Sequence, residues 1–392
     1  MPDRGAGGAS AISLPRAAAV VDRASPRGVR ILVDLAAIRA NLVEARRLSA
    51  GGKVFAVVKA DAYGHGAIAV ARALSREDMP PETRADGFAV VATGEAIALR
   101  ESGVRAPVLV LQGPVDASDA TLCADADLWP VIHDPAQLDW YRAHARRGEL
   151  SAWLKVDTGM GRLGVRPEVA ERLLREPDGI RWHGVLSHLA CGDEPGSTHA
   201  RAQIDTFGAL DLPPGLALSL ANSAAVIAWP DARHDWARPG LMLYGCDPRV
   251  PGPTSEPSIT LAAAMQVTTT LLSVKTMEAG AGVGYAQAWQ CPEQMPIGLA
   301  RIGYADGLPR VLDDRARVSV GGVACPVVGR VSMDSIAVDL RAVPTARTGD
   351  EVEIWGGHLG VDALAASAGT IAYELLSGIR GRRATVDVAA SG

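Results

Sequence analysis

Between residues 54 and 245 the sequence places eight short, continuously apolar runs, with amphipathic stretches of helical period between them. The runs are VFAVVK (54–59), GFAVV (87–91), PVLVL (107–111), LWPVI (128–132), AWLKVD (152–157), HGVLSHL (183–189), LALSLAN (216–222) and LMLYG (241–245). A strand with one face in water alternates apolar and polar residues, whereas a strand covered on both faces does not. Segments such as AIAVARALSR, GEAIALRESG, DPAQLDWYRAHARRG and PEVAERLLRE supply that cover and the crossovers that parallel strands require. Eight such units over roughly 190 residues match a closed (β/α)8 barrel of the TIM type in count and length. The competing architecture, an open doubly wound sheet, usually carries a G-x-G-x-x-G turn after its first strand. Here the first run leads instead into ADAYGHG.

The texture changes after CDPRVPGPTSEPS (246–258), where four prolines in thirteen residues mark a domain boundary. Beyond it, AAAMQVTTTLLSVKTM, MPIGLARIGYADG, ARVSVGG, SIAVDL and EVEIWG are β-branched and separated by turn-forming residues. They predict a mainly β C-terminal domain over 259–392, following a barrel over 29–250. The strand at 29–34 is free to pair with either domain. Residues 1–28, rich in Ala, Gly and Arg, read as a loose N-terminal extension without the apolar core of a secretory signal.

A net charge of −5 and the absence of any basic run leave no nucleic-acid footprint. No apolar run reaches the roughly 18 residues of a membrane-spanning helix. The five cysteines (Cys123, Cys191, Cys246, Cys291, Cys325) are odd in number and scattered. They suggest free thiols in a reducing, cytoplasmic compartment and neither a disulfide framework nor a metal site.

Only four of the 39 basic residues are lysines, and Lys59 ends the first apolar run. Lysine is costly to strip of water, so this position asks for a reason. In a (β/α)8 barrel the chemistry gathers where strands end and loops begin. A partly desolvated lysine there has its pKa lowered, and the neutral amine attacks carbonyls. The other strand ends contribute Lys155, Asp157 and Arg162 in LKVDTGMGRLG, His188 in LSHLACGDE, and Asn222 and Ser223 in LANSAA. Arg238 and Gly240 follow in ARPGLMLYG, and Tyr63 and His65 flank Lys59. A serine hydroxyl and loop N–H groups after the seventh and eighth strands make the usual phosphate cup of such barrels. Taken singly, His188 is a satisfied core histidine, the arginines are ion-pair partners and Asn222 is a helix cap. Their convergence on one rim favours a phosphate-and-ring site.

AVVKADAYGHG resembles the pyridoxal-phosphate lysine motif of the alanine racemase family. The similarity continues in order through LKVDTGMGRLG, RPGLMLYG, VGYAQAW, IGYADGLPR, GRVSMD and YELL…IRGRR, covering roughly residues 29–385. The resemblance implies a (β/α)8 barrel with a C-terminal β-domain, and a homodimer whose active sites are shared between chains. It implies pyridoxal 5'-phosphate as cofactor and alanine as substrate, with L- and D-alanine interconverted for cell-wall peptidoglycan.

By the same resemblance, Lys59 holds the cofactor and acts as one base, and Tyr285 of a second chain is the other. Tyr63, Ser223, Gly240, Leu241 and Tyr373 contact the phosphate, with Asn222 beside them. Arg162 bonds the phenolic oxygen, His188 lies against the ring and Arg238 faces the pyridine nitrogen. Met333 helps hold the substrate carboxylate, Tyr304 narrows the entrance, and Lys155 matches a lysine that is carbamylated in some members. Ser332 and Ser335 depart from the family's more usual GRVCMDQ. Competing readings are a related racemase for serine or other amino acids and a fold-type III decarboxylase. A non-enzymatic pyridoxal-phosphate-binding barrel lacks the second domain expected here.

Overall fold

The structure is a computed structural model that describes residues 27–143, 150–176, 179–250 and 259–387. Most of the expected N-terminal extension (1–26) and much of the proline-rich boundary (251–258) lie outside the described residues. The chain divides into two compact units. One comprises Leu35–Ala264 with the chain end from Asp387. The other comprises residues up to Asp34 together with Met265–Val386.

Strands are numbered along the chain from β1 (Arg30–Asp34), which belongs to the second unit. The first unit holds β2 (Lys53–Val57), β3 (Gly87–Val90), β4 (Val108–Val110) and β5 (Trp129–Ile132). It continues with β6 (Leu150–Lys155), β7 (Ile180–Leu186), β8 (Ala217–Ser219) and β9 (Trp236–Ala237). Each pairs in parallel with its neighbour in the order β8-β7-β6-β5-β4-β3-β2-β9. A parallel bridge between Asn222 and Arg238 brings the two ends of the sheet together. Helices Ala67–Ala73, Thr93–Glu101, Ala117–Asp125, Pro135–Arg142, Pro167–Arg175 and Thr198–Gly208 connect successive strands. The eight parallel strands thus form a nearly closed barrel.

One strand assignment needs correction. LMLYG does not form the eighth strand: Leu241–Tyr244 is a 3-10 turn, and the eighth strand is the two-residue β9. Pro239 has no N–H to donate to a ladder. Just beyond it the Ser223 hydroxyl accepts from the N–H groups of Gly240 (2.8 Å) and Met242 (3.3 Å), folding the chain over. The apolar run misleads because all four residues of the turn are fully packed.

Towards the strands' N-terminal ends the barrel interior is aromatic. Phe55 stacks on Trp236 at 3.9 Å and meets Trp153 edge-on at 5.7 Å, while Trp129 stacks on His183 at 3.8 Å. Burying each such ring contributes on the order of 2–3 kcal/mol. This end carries stability and leaves the opposite rim for chemistry.

In the second unit β10 (Met265–Met277) is the spine. Its first half pairs antiparallel with β1, and β1 in turn lies parallel to β18 (Arg382–Val386). Short β11 (Gly282–Val283) and β12 (Trp289–Gln290) form a separate hairpin. The main sheet is completed by β13 (Met295–Ala300), β14 (Arg317–Val320), β15 (Val323–Val328), β16 (Ile336–Asp339) and β17 (Glu351–Trp355). Because β10 pairs with β17 and, past an irregularity at Leu271/Ser273, with β13, the sheet curls back on itself. Helices Val361–Ser367 and Ala372–Gly378 follow. Arg27, at the edge of the expected loose extension, is anchored: Nε donates to the buried Asp306 and a terminal nitrogen to Asp334, each at 2.5 Å.

Candidate active site

Lys59 follows β2 by two residues and opens a turn that winds the wrong way for L-amino acids. Ala60, Asp61, Ala62 and Tyr63 have φ of 52°, 53°, 55° and 52°. Left-handed backbone costs about 1 kcal/mol or more per such residue. Local bonds hold it. Ala62 N–H donates to Val58 O (2.9 Å), Gly64 N–H to Ala60 O (3.1 Å) and Ala67 N–H to the Asp61 carboxylate (2.7 Å). His65 Nδ1 donates to the carbonyls of Ala62 and Tyr63. The turn brings the Tyr63 hydroxyl against Gly240, where an added Cβ would lie 2.4 Å from that oxygen. Only glycine allows the approach. Behind it, buried Tyr244 packs on Tyr63 and His65 and donates to Val57 O at 2.8 Å.

The other predicted barrel residues gather on the same rim. Asn222 caps helix Ser223–Ala228 by accepting from Ala225 N–H at 3.0 Å, and Ser223 receives Gly240 and Met242 as described. Arg238, buried, donates to Ser219 Oγ (2.5 Å), Leu220 O (3.2 Å) and Ser187 O. Burial lowers its pKa to about 10, so it stays cationic at neutral pH. Lys155 ends β6 almost without access to solvent. Desolvation first, then Arg238 and Arg162, bring its pKa down to about 8. Lys59 is likewise depressed by desolvation and Arg162, with Glu95 opposing. Desolvation and the four cations Arg238, Lys155, Arg162 and Lys59 hold His188 far below its ordinary pKa, hence neutral.

Four cations on one rim are a poor arrangement unless an anion joins them. The nearby carboxylates are already engaged. Asp157 accepts from the N–H groups of Gly159, Met160 and Gly161 at 2.8–3.1 Å. Desolvation works against its charge, but those donors and Lys155 hold its pKa below normal. Glu95 accepts from Ala60, Val91 and Ala92. A phosphorylated ring with an acidic phenol supplies the missing charge, so the donor set and the Tyr63–Gly240 cradle fit pyridoxal phosphate.

The remaining predicted residues lie in the second unit. Tyr285 is 68% exposed, on a short turn between β11 and β12 whose Ala286 and Gln287 are left-handed. Tyr304 and Met333, both exposed, sit on adjoining loops: Tyr304 N–H donates to Ser332 O (3.1 Å) and Ala305 N–H to Met333 O (3.0 Å). Gly303 allows that closeness, since its Cβ would meet Ser332 O and Met333 O at 2.3 Å. Tyr373 lies on helix Ala372–Gly378, and Arg380 just beyond it donates its N–H to Asp306 O at 2.7 Å. Arg27, Asp306 and Arg380 therefore join the Tyr304, Met333 and Tyr373 segments. Sequence reasoning missed Tyr244, Glu95 and Asp306. Two of these belong to quoted motifs, but their partners are distant in the chain.

A nearly closed (β/α)8 barrel with a lysine-centred cationic rim, carried with a β-domain, defines a class of barrel protein built to hold a phosphorylated ring cofactor. Comparison with known proteins narrows it. Residues 33–248 match the family described as "Alanine racemase, N-terminal domain" and residues 264–386 the family described as "Alanine racemase, C-terminal domain". An alanine racemase from Halorhodospira halophila is 42% identical over 368 residues, covering 92% of this chain and 98% of that one. The crystal structure of the biosynthetic alanine racemase from Pseudomonas aeruginosa aligns with a TM-score of 0.83 at 39% identity, over 92% and 99% of the two chains. That of Bartonella henselae, with covalently bound pyridoxal phosphate, gives 0.81 at 29% identity over 92% and 100%. The chain belongs to the alanine racemase family.

Proposed function

We infer that this protein interconverts L- and D-alanine with pyridoxal 5'-phosphate as cofactor. The observation that carries this reading is Lys59: an amine of depressed pKa at the head of a strained turn, on a rim shared with Arg162, Lys155, Arg238 and the Tyr63–Gly240 cradle. When bound, the cofactor makes the substrate's α-proton acidic by drawing charge from Cα into its ring. The chain's own residues do the rest. Tyr63, Ser223, Gly240 and Leu241, with Asn222 beside them and Tyr373, are proposed to hold the phosphate, Arg162 the phenolic oxygen and His188 the ring face. Arg238, still cationic with a pKa of about 10, is proposed to face the ring nitrogen, where it would disfavour a second cation and so moderate the charge the ring withdraws.

Inversion at Cα needs proton donors and acceptors on both faces. Lys59 Nζ is proposed to serve one face and Tyr285 Oη, from a second copy of the chain, the other. Met333 and Arg162 would receive the substrate carboxylate, and Tyr304 would narrow the entrance. The exposure of Tyr285, Tyr304 and Met333 supports this homodimeric, shared site. Lys155, with a pKa of about 8, retains enough neutral amine to take up carbon dioxide, which would turn a cation beside Arg162 into an anion. Five scattered cysteines, odd in number and without a paired-cysteine motif, suit a cytoplasmic location. No described helix is long and apolar enough to cross a membrane.

Lys59→Ala tests the reading. The holoprotein should absorb near ~420 nm, roughly where such a lysine-bound cofactor absorbs, and the variant should lose both this band and alanine racemisation. A borohydride-fixed cofactor on another lysine would refute the assignment.

A further inference from the structure

Local bonds hold the later part of the left-handed turn, but they leave open what fixes the N–H of its first residue, Ala60, and what offsets the cations around the amine. Glu95 lies in the first turn of helix Thr93–Glu101, where one carboxylate oxygen accepts from Val91 N–H (2.8 Å) and Ala92 N–H (3.3 Å). So far this is ordinary helix capping. The other oxygen leaves the helix and accepts from the Ala60 N–H at 2.8 Å, 35 residues back in the chain and directly bonded to Lys59. We propose that Glu95 is a positioning residue for Lys59, clamping the first residue of the left-handed turn and fixing a carboxylate within electrostatic reach of the amine.

The surroundings explain why this matters. Arg162 pushes the Lys59 pKa down, and Lys155 and Arg238 belong to the same cationic group, while His188 is neutral. Asp61, on the turn itself, is committed to Ala67 N–H, and Asp157 to its own loop. Glu95 is the carboxylate that counters desolvation and Arg162 at Lys59. Without it the amine would be neutral over a wider pH range, and the Ala60 N–H at the start of the turn would lose its acceptor.

This rests on Lys59 being the cofactor lysine, but one measurement does not. In the full-length chain freed of cofactor, Lys59 modification by trinitrobenzenesulfonate is followed against pH and located by peptide mass. Only neutral amine reacts, and a carboxylate raises an amine's pKa. Glu95→Gln should therefore move the Lys59 midpoint down, making labelling severalfold faster below it. Glu95→Asp keeps the charge and should leave the midpoint near its original value. In the holoprotein, Glu95→Gln should also release pyridoxal phosphate faster. Should Glu95→Gln not fold, Ala60→Gly with Glu95→Gln relieves the left-handed strain without restoring the charge, and should show the same lowered midpoint. An unchanged midpoint in a folded Gln variant overturns the proposal. A wild-type chain that binds no pyridoxal phosphate would instead overturn the cofactor reading, and the labelling shift would still decide the role of Glu95.

Discussion

At the residue scale the site is a contest between burial and charge, and Lys155 shows it most clearly. A lysine whose pKa falls from 10.5 to about 8 on folding binds fewer protons folded than unfolded between those values. Stability therefore rises with pH through that window, and below about pH 8 the full cost is present, on the order of 3 kcal/mol. Lys155→Met should stabilise the cofactor-free chain at pH 7 in carbon-dioxide-free buffer, and the advantage should shrink by pH 10. Urea midpoints at the two pH values measure it, and a pH-independent difference would acquit Lys155. Tyr285 offers a second residue-level test. Tyr285→Phe removes only the exposed hydroxyl, so the fold should survive while racemisation falls by about 10²–10⁴, the scale of a lost general base. If Tyr285 takes the α-proton of L-alanine and Lys59 that of D-alanine, as the family resemblance implies, exchange with heavy water should collapse for L-alanine and persist for D-alanine. Equal residual exchange from both would remove the two-base mechanism.

At the element scale the chain spends stability on one turn. The left-handed segment after Lys59 is short, and its first residue, Ala60, is solvent-exposed, so substitutions there probe backbone strain with little packing change. Valine is a poor left-handed residue because its branched Cβ crowds the carbonyl. Ala60→Val should lower stability by about 1 kcal/mol or more and weaken cofactor retention, whereas Ala60→Gly should be tolerated. Thermal melts and dialysis against buffer separate the two, and equal behaviour of Val and Gly would show that the turn is unstrained. The same scale explains the misread eighth strand. LMLYG and a true strand such as VFAVVK are equally apolar, and what separates them is Pro239 and the two N–H groups captured by Ser223.

At the scale of the whole molecule, two compact units bring different parts to the proposed chemistry: the barrel contributes Lys59 and the cationic rim, the β-domain contributes Tyr285, Tyr304 and Met333. If Tyr285 acts on a second copy's barrel, specific activity should fall as the protein is diluted below its dimer dissociation constant. A monomer that is fully active by sedimentation and assay would exclude the shared site. The residues proposed to do the work stand out in the sequence because chemistry of this kind tolerates few residue types. A strand-terminal Lys59, a run of apolar segments at barrel spacing and a β-branched second half all follow from composition and period alone. What only the tertiary structure decided are the partnerships between residues far apart in the chain. Glu95 reaching Ala60, Asp306 joining Arg27 to the Arg380 backbone, and β1 pairing with β10 and β18 leave no local signal. Periodicity records which side of an element is buried, but not which distant donor or acceptor will be waiting there.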